Sequence, residues 1–296
     1  MTTTVPDNNI HRAHAANILN VADQLLFAQK QAVTHIEVEI TEDIDDLLGT
    51  LSPEGPYAYT LTAEAKDDGE FRQPLIETRE DIRTCYINLH DTTGLRAWQS
   101  ITQYLSTWYT FHAGWATVEM KATGERVEVE SLVLFPTMGG TGITGELFWL
   151  RASPGATPGE GQTSADVRRA ITNDHDAYLA AALAGDIDAM LAFTTPGVQL
   201  GIRNYPSEVP GAIVELDGRE AAEEHLRTFF ATYTPESIEV IQRHVEDWYI
   251  FAELRWTVTS VTDGTRLTFL TVDYSEINAD RKIVARLGHG TEPIAL

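Results

Sequence analysis

A carboxylate stands at Asp273, where the surrounding pattern calls for a buried sheet face, and the chemistry of this chain can be argued outward from it. Asp273 lies in Thr265–Gly290, two strand-like runs joined by the polar turn Asn278-Ala279-Asp280-Arg281. From Leu267, alternate residues are Leu267, Phe269, Thr271, Asp273, Ser275 and Ile277. Alternation with a period of two marks a strand half-buried against a core. A carboxyl among apolar side chains has its pKa raised by desolvation, which yields an acid or base that works near neutral pH. On the returning run Ile283, Ala285, Leu287 and His289 share a face. If Ile277 and Ile283 close the turn, Asp273 stands opposite Leu287 and Thr271 opposite His289. Asp273 and His289 are then diagonal neighbours roughly 7–8 Å apart. Imidazole titrates near neutrality, so His289 is the candidate base. The bland alternative is an Asp that caps a loop or pairs with an arginine.

The elements that must hold these residues occur twice. Trp108-Tyr109-Thr110-Phe111 recurs 140 positions later as Trp248-Tyr249-Ile250-Phe251. The same shift carries Gly124 to Gly264, Arg126 to Arg266 and Arg79-Glu80 to Arg219-Glu220; further upstream the shift is 143, taking Asp43-Ile44-Asp45 to Asp186-Ile187-Asp188. Several matches in constant register indicate two copies of one domain. Residues 153–164, rich in Pro, Gly and small side chains, read as a linker between a first domain, 1–152, and a second, 165–296. In the second copy Ser164 is the expected cap of a helix to about Ala184, with Ile171, His175 and Tyr178 sharing a face. Gly185 ends it, Asp186 opens a short helix, and Asp217-Gly-Arg-Glu220 reads as a capping box for a third. Long strands follow at Ile238–His244, Trp248–Val261 and the Leu267–His289 hairpin. The first copy repeats the order, with an opening helix from about Asn9 to Ile40. The expected fold is α+β, two tandem conical barrels in which helices cover one face of a curved, mostly antiparallel sheet.

Composition narrows the function classes. The chain has 296 residues, 43% hydrophobic and 22% charged, as in ordinary soluble globular proteins. A net charge of −23 repels phosphate backbones and anionic lipid, so neither nucleic acid nor membrane is an expected partner. No 18-residue apolar run and no signal-peptide plan is present, and the lone Cys85 fits a reducing compartment, so the expected location is the cytoplasm. No HExxH, CxxC or clustered His/carboxylate spacing suggests a metal, and no GxSxG or GxxxxGK[ST] occurs. The expectation is neither metal nor cofactor.

Three stretches resemble the nuclear-transport-factor-like superfamily, in its ketosteroid isomerase and SnoaL-like polyketide cyclase branch. They are Tyr178-Leu-Ala-Ala-Ala-Leu-Ala-Gly-Asp-Ile-Asp-Ala-Met-Leu191, Leu216-Asp-Gly-Arg-Glu220 and Asp273-Tyr-Ser-Glu-Ile-Asn-Ala-Asp-Arg-Lys-Ile283. The resemblance implies a deep apolar pocket between helices and sheet. It also implies an oxyanion hole formed by Tyr178 and a protonated Asp273, an arrangement for which ketosteroid isomerase is the standard example. The isomerases' general-base position falls here on Gly201, so a standard 3-oxo steroid isomerase is not expected. In the first copy His35, Val133 and Leu61 replace Tyr178, Asp273 and Gly201, which makes that copy a non-catalytic scaffold. The expected catalytic set is therefore Asp273, Tyr178 and His289, with Trp256, Phe269, His175 and Phe230 against the substrate. The expected activity is a cofactor-independent isomerase, cyclase or dehydratase acting on a small apolar carbonyl compound. Rival readings are a non-catalytic module for hydrophobic small molecules, and epoxide opening by a carboxylate-activated water. The resemblance also implies that the two copies pair within the chain as a pseudo-dimer, which can pair again as a homodimer.

Overall fold

In the computed structural model, residues 21–53, 57–60, 64–65, 71–72, 76–138, 142–203 and 213–296 are described. The chain divides into two units, residues 1–151 and 152–296. The first contains α1 (Val21–Thr41), α2 (Ile44–Gly49), β1 (Ala58–Thr60), a small ribbon of β2 (Glu64–Ala65) and β3 (Phe71–Arg72), and α3 (Arg79–Thr92). These are followed by β4 (Thr93–Leu105), β5 (Tyr109–Met120), β6 (Glu125–Met138), β7 (Gly142–Ile143) and β8 (Gly145–Leu150). The second contains α4 (Ser164–Ala184), α5 (Ile187–Leu191), β9 (Thr194–Arg203), β10 (Ile213–Asp217) and α6 (Arg219–Thr232). Then come β11 (Tyr233–Val245), β12 (Tyr249–Ser260), β13 (Arg266–Ile277), β14 (Ile283–Gly290) and β15 (Ile294–Ala295). The expected positions Asn9–Asn20 and Leu61 lie outside the described residues.

The sheets run β1-β8-β6-β5-β4 and β10-β9-β14-β13-β12-β11. All their neighbours are antiparallel except β1–β8 and β9–β14. Bulges fall between Leu95/Ala97 and Ser100/Thr102 in β4, and between Pro235/Ser237 and Val240/Gln242 in β11, again 140 residues apart. A bulge bends the strand that carries it, so both sheets curl at matching points. The proline is tolerated at Pro235 because the ladder is interrupted there. On the curled face of the second sheet, Ala252, Leu254, Trp256 and Val258 meet Ile171, Leu179, Ala182, Ala222 and Phe229 of the helices in one core. Each unit is thus α+β, with helices over one face of an antiparallel-dominated sheet.

Local signals set the helix ends, with two differences from expectation. Thr163, not Ser164, caps α4, in a reciprocal capping box with Asp166, and Gly185 closes the helix in the left-handed region at φ 67°. At α6 the cap is Gly218 and makes no side-chain bond, so Asp217 does not cap this helix and ends β10 instead. The stretch expected as a linker begins as part of the second unit. Ala152 and Ser153 donate backbone N–H bonds to Glu276 at 2.9 and 2.6 Å, and Ala156 donates to the Asp247 carbonyl at 2.8 Å.

Candidate active site

Among the described residues, a cavity of about 260 Å³ lies in the first unit, between α1 and α3 and strands β4, β5, β6 and β8. Its existence traces to side-chain size. Ala116 on β5 and Val129 on β6 are cross-strand partners on its floor. In the second unit the equivalent pair, Trp256 and Phe269, stack with centroids 5.9 Å apart and planes at 12°, and Phe229 packs edge-on against Trp256. Those rings occupy the space that is open in the first unit; a separate small cavity of about 30 Å³, room for about one water, lies elsewhere in the second unit, between Tyr178, Leu191, Leu200, His225 and Arg286. Trp256 and Phe269, expected to contact substrate, therefore fill the core instead, with Phe230 packed against it.

Four polar side chains converge at one end of the larger cavity. His35 and Glu39 lie one turn apart on α1, Tyr86 comes from α3, and Glu146 from β8. His35 and Tyr86 are fully buried, and Glu146 is 3% exposed. Thr50 donates its hydroxyl proton to the Leu47 carbonyl at 2.7 Å, so it accepts from His35 Nδ1 at 2.5 Å. That leaves His35 Nε2 facing Tyr86 Oη at 3.0 Å and Glu146 Oε2 at 3.1 Å, while Tyr86 donates to Glu146 Oε2. Three heavy atoms within bonding distance of one another share the protons between them. Glu39 lines the cavity beside them. Burial, and then the neighbouring Glu146, push its carboxyl well above the ordinary carboxylate range, against an opposing bond from Tyr86. An acid whose protonated form is favoured, and which keeps part of its surface open to the cavity, thus stands beside a proton-sharing Tyr–His–Glu group at the end of an apolar cavity. His35 Nε2, Glu39 and Glu146 also place ligand atoms within 4.8 Å of one another, a donor set that suits a divalent transition ion. The Thr50 bond is the kind of outer-shell support such a histidine ligand receives.

Beyond Glu39 the end of α1 is tied to the sheet. Glu42 bonds Arg96 of β4 at 2.7 Å and Lys121 at 2.5 Å, and Lys121 donates to the His90 carbonyl.

In the second unit Asp273 lies on the core face, as alternation implies, but its neighbours differ from expectation. A bulge at Glu276/Ile277 moves the β13–β14 register by one residue, pairing Asp273 with Gly288 and Val272 with His289. Because a one-residue slip exchanges faces, His289 points away from Asp273 and Arg286 points towards it. Arg286 Nη2 donates to Asp273 Oδ2 at 2.7 Å and Nη1 donates to Tyr178 Oη at 2.8 Å. Asp273 and Tyr178 are thus brought together, though as acceptors around one guanidinium and not as a pair of proton donors. Only Gly fits at 288, since a Cβ there would lie 2.7 Å from Asp273 Cβ. His175 accepts from Arg243 at 3.1 Å, and burial lowers its pKa to about 4. His289 is lowered to about 3, by burial first and by Arg203 second, which places it far from a base that titrates near neutrality. Gly201 pairs with Leu287 on the face away from the small cavity, which its neighbours Leu200 and Ile202 line.

Residues 175–286 match the SnoaL-like domain family. The SnoaL-like match falls within the second unit and covers less than half of the chain, so the larger cavity lies outside it. No curated protein matches the chain. Among solved structures, a provisionally assigned polyketide cyclase from Xanthomonas campestris pv. campestris is 22% identical over 42% of this chain and 91% of its own, with a TM-score of 0.35. An LEH-like epoxide hydrolase of Mycobacterium tuberculosis is 12% identical over 43% and 84%, at 0.33. A ketosteroid isomerase-like protein from Erwinia carotovora atroseptica is 18% identical over 42% and 95%, at 0.34. At these scores and identities none carries its activity over to this chain. Among the described residues, no helix is long and apolar enough to cross a membrane.

Two stability predictions follow from buried charged groups in the two units. The Asp273 and Arg286 side chains are 8% and 13% exposed, so Asp273→Ala leaves a buried guanidinium without its carboxylate. The expected cost is about 3–5 kcal/mol, read from urea unfolding of the second unit. Asp273→Leu combined with Arg286→Met should recover most of it; a loss below about 1 kcal/mol for Asp273→Ala would mean that water reaches Arg286. The second prediction concerns pH. His112, His175 and His289 have folded pKa values lowered to about 4, 4 and 3, mainly by burial. Below the unfolded value near 6.5 the unfolded chain binds protons first, so their stabilisation is complete above about pH 6.5 and is lost towards pH 4. Glu39 acts in the opposite sense, its raised value removing stability as pH rises above about 4.5. His90 and His225 are lowered in the same direction, so the histidines outweigh Glu39 and stability should rise between roughly pH 4.5 and 6, by up to about 1.4 kcal/mol per pH unit for each net proton. A flat urea midpoint across that range would contradict it.

Proposed function

We propose that the chain is an acid–base enzyme of the isomerase, dehydratase or cyclase type, and that its reaction takes place in the cavity of the first unit. One observation carries this reading: Glu39, its pKa raised by burial, stands beside Tyr86, His35 and Glu146 at the end of an apolar cavity of about 260 Å³. Perturbed acids that face a cavity are where proton-transfer chemistry is expected. Glu39 donates its proton to a substrate oxygen as charge develops there, and the Glu146 carboxylate takes a proton from the carbon α to the carbonyl. In isomerisation the oxygen is the carbonyl oxygen: Glu146 gives its proton to a different carbon of the resulting enol, and the enol O–H proton goes back to Glu39. In dehydration the oxygen is a hydroxyl β to the carbonyl: it leaves as water, and Tyr86 and His35 relay the proton from Glu146 to Glu39, which restores both carboxyls.

The test is exchange of the α-hydrogens of a bicyclic ketone in heavy water, followed by proton NMR. Acceleration over buffer is expected. Saturable binding of the ketone without any acceleration would leave the cavity as a binding module only. A second reading uses His35, Glu39 and Glu146 as ligands of a divalent transition ion, since their donor atoms already converge. Chelation with 1,10-phenanthroline separates the two, leaving exchange unchanged on the proton reading and abolishing it on the metal reading.

A further inference from the structure

Two polar atoms of the larger cavity take no part in the proton-sharing group. His90 is one turn beyond Tyr86 on α3 and is 8% exposed; Trp98 comes from the edge strand β4, three strands away from Glu146 on β8. Both line the cavity. Among the described residues, His90 Nδ1 and Trp98 Nε1 are buried without a hydrogen-bond partner. An indole N–H can only donate, and a buried donor left unmade is costly, so its presence in a cavity points to an acceptor that arrives with the ligand. The second unit supports the same view from the other side. At the position equivalent to His90 it carries Phe230, packed against a filled core, so the fold does not require a polar residue there.

Charge restricts what can bring that acceptor. No lysine or arginine is among the residues lining the cavity, whereas two carboxyls are. Two cations close to the end of α1 are already engaged: Arg96 and Lys121 are bonded to Glu42, and Arg96 also to Glu119. An anionic group would meet carboxyl oxygens with nothing to neutralise it. An ammonium group would find Glu146 Oε2 already bonded by Tyr86 and His35. The rest of the wall is apolar: Leu95, Val118, Val127, Val129, Val133 and Leu150.

We infer that the cavity takes an uncharged, largely apolar molecule with two separated oxygen functions, one reacting at Glu39 and the other an acceptor held by Trp98 Nε1–H beside His90. This rests on the acid–base reading of the same cavity, and it makes Trp98 and His90 specificity-determining residues. The volume lies just under the roughly 300–1,000 Å³ of sites for drug-sized ligands, so a fused bicycle is a suitable frame.

The experiment compares three probes on the whole chain: a bicyclic dione, the corresponding mono-ketone, and the corresponding carboxylic acid at pH 7.5. Binding is read by calorimetry and by the indole N–H resonances. The Trp98 signal is the one absent from the spectrum of Trp98→Phe. The dione is expected to bind roughly ten times more tightly than the mono-ketone and to move the Trp98 signal downfield, since a buried donor gains its acceptor. Trp98→Phe should remove that advantage while mono-ketone affinity stays within about a factor of two. The inference is overturned if dione and mono-ketone bind equally, if the advantage survives in Trp98→Phe, if the acid binds best, or if no probe binds. A second variant, His90→Phe, places in the first unit the residue that the second already holds, and should weaken the dione alone. Failure of the acid–base reading looks different: the dione advantage remains while Glu39→Gln leaves α-hydrogen exchange unchanged.

Discussion

Glu39→Gln is expected to lower α-hydrogen exchange by about 10²–10⁴-fold, the usual contribution of a positioned general acid or base. Glutamine keeps the shape, but it cannot give up a proton to the substrate. The same change removes a carboxyl that burial and Glu146 disfavour in its charged form, so the melting temperature should hold or rise. The pH profile separates catalysis from packing. Because the acid form is the active one and its pKa is raised, wild-type activity should be highest on the acid side and fall as pH rises through that raised value. That limb should vanish from the residual rate of the variant. Glu146→Gln should also reduce exchange, and it should lower the pKa of Glu39 by removing the like charge that helps to raise it. If Glu39→Gln exchanges within threefold of wild type, the proton donor lies elsewhere.

Much of the architecture was legible because it rests on short-range rules. The alternation in Leu267–Ile277 and Ile250–Val258 places the right residues on the core face. The glycine at 185 ends its helix, and the shift of 140 residues reappears as matching bulges in β4 and β11. Alternation cannot reveal a bulge, because the pattern is intact on either side of the extra residue. That single residue at Glu276/Ile277 carried His289 off the Asp273 face and brought Arg286 onto it. The cluster in the first unit was hidden for a different reason. His35, Tyr86 and Glu146 come from three elements separated by long stretches of chain, and no local spacing joins them. Two signals were nevertheless present. Glu146 interrupts the apolar run Gly145–Leu150 much as Asp273 interrupts its own strand, and His35/Glu39 and Tyr86/His90 are both pairs four residues apart. Comparing the repeats at the core positions themselves would have shown Trp256 and Phe269 against Ala116 and Val129, the difference that opens the cavity.

That difference can be reversed. Ala116→Trp with Val129→Phe installs in the first unit the stacked pair that the second unit already accommodates on the same pair of strands. The two rings should occupy most of the 260 Å³, so the bicyclic probes should lose at least about 100-fold in affinity and α-hydrogen exchange should fall with them. Stability should not fall. Overpacking a full core costs about 1–3 kcal/mol, but filling an existing cavity typically adds about 0.5–2 kcal/mol, and the space is there. The proton-sharing bonds of His35, Tyr86 and Glu146 do not involve either position, so the two effects separate cleanly. A variant that is as stable as wild type yet neither binds nor exchanges would tie function to the cavity in the first unit. One that still exchanges at the wild-type rate would move the reaction out of this cavity, because a ligand and two stacked rings cannot share the same space.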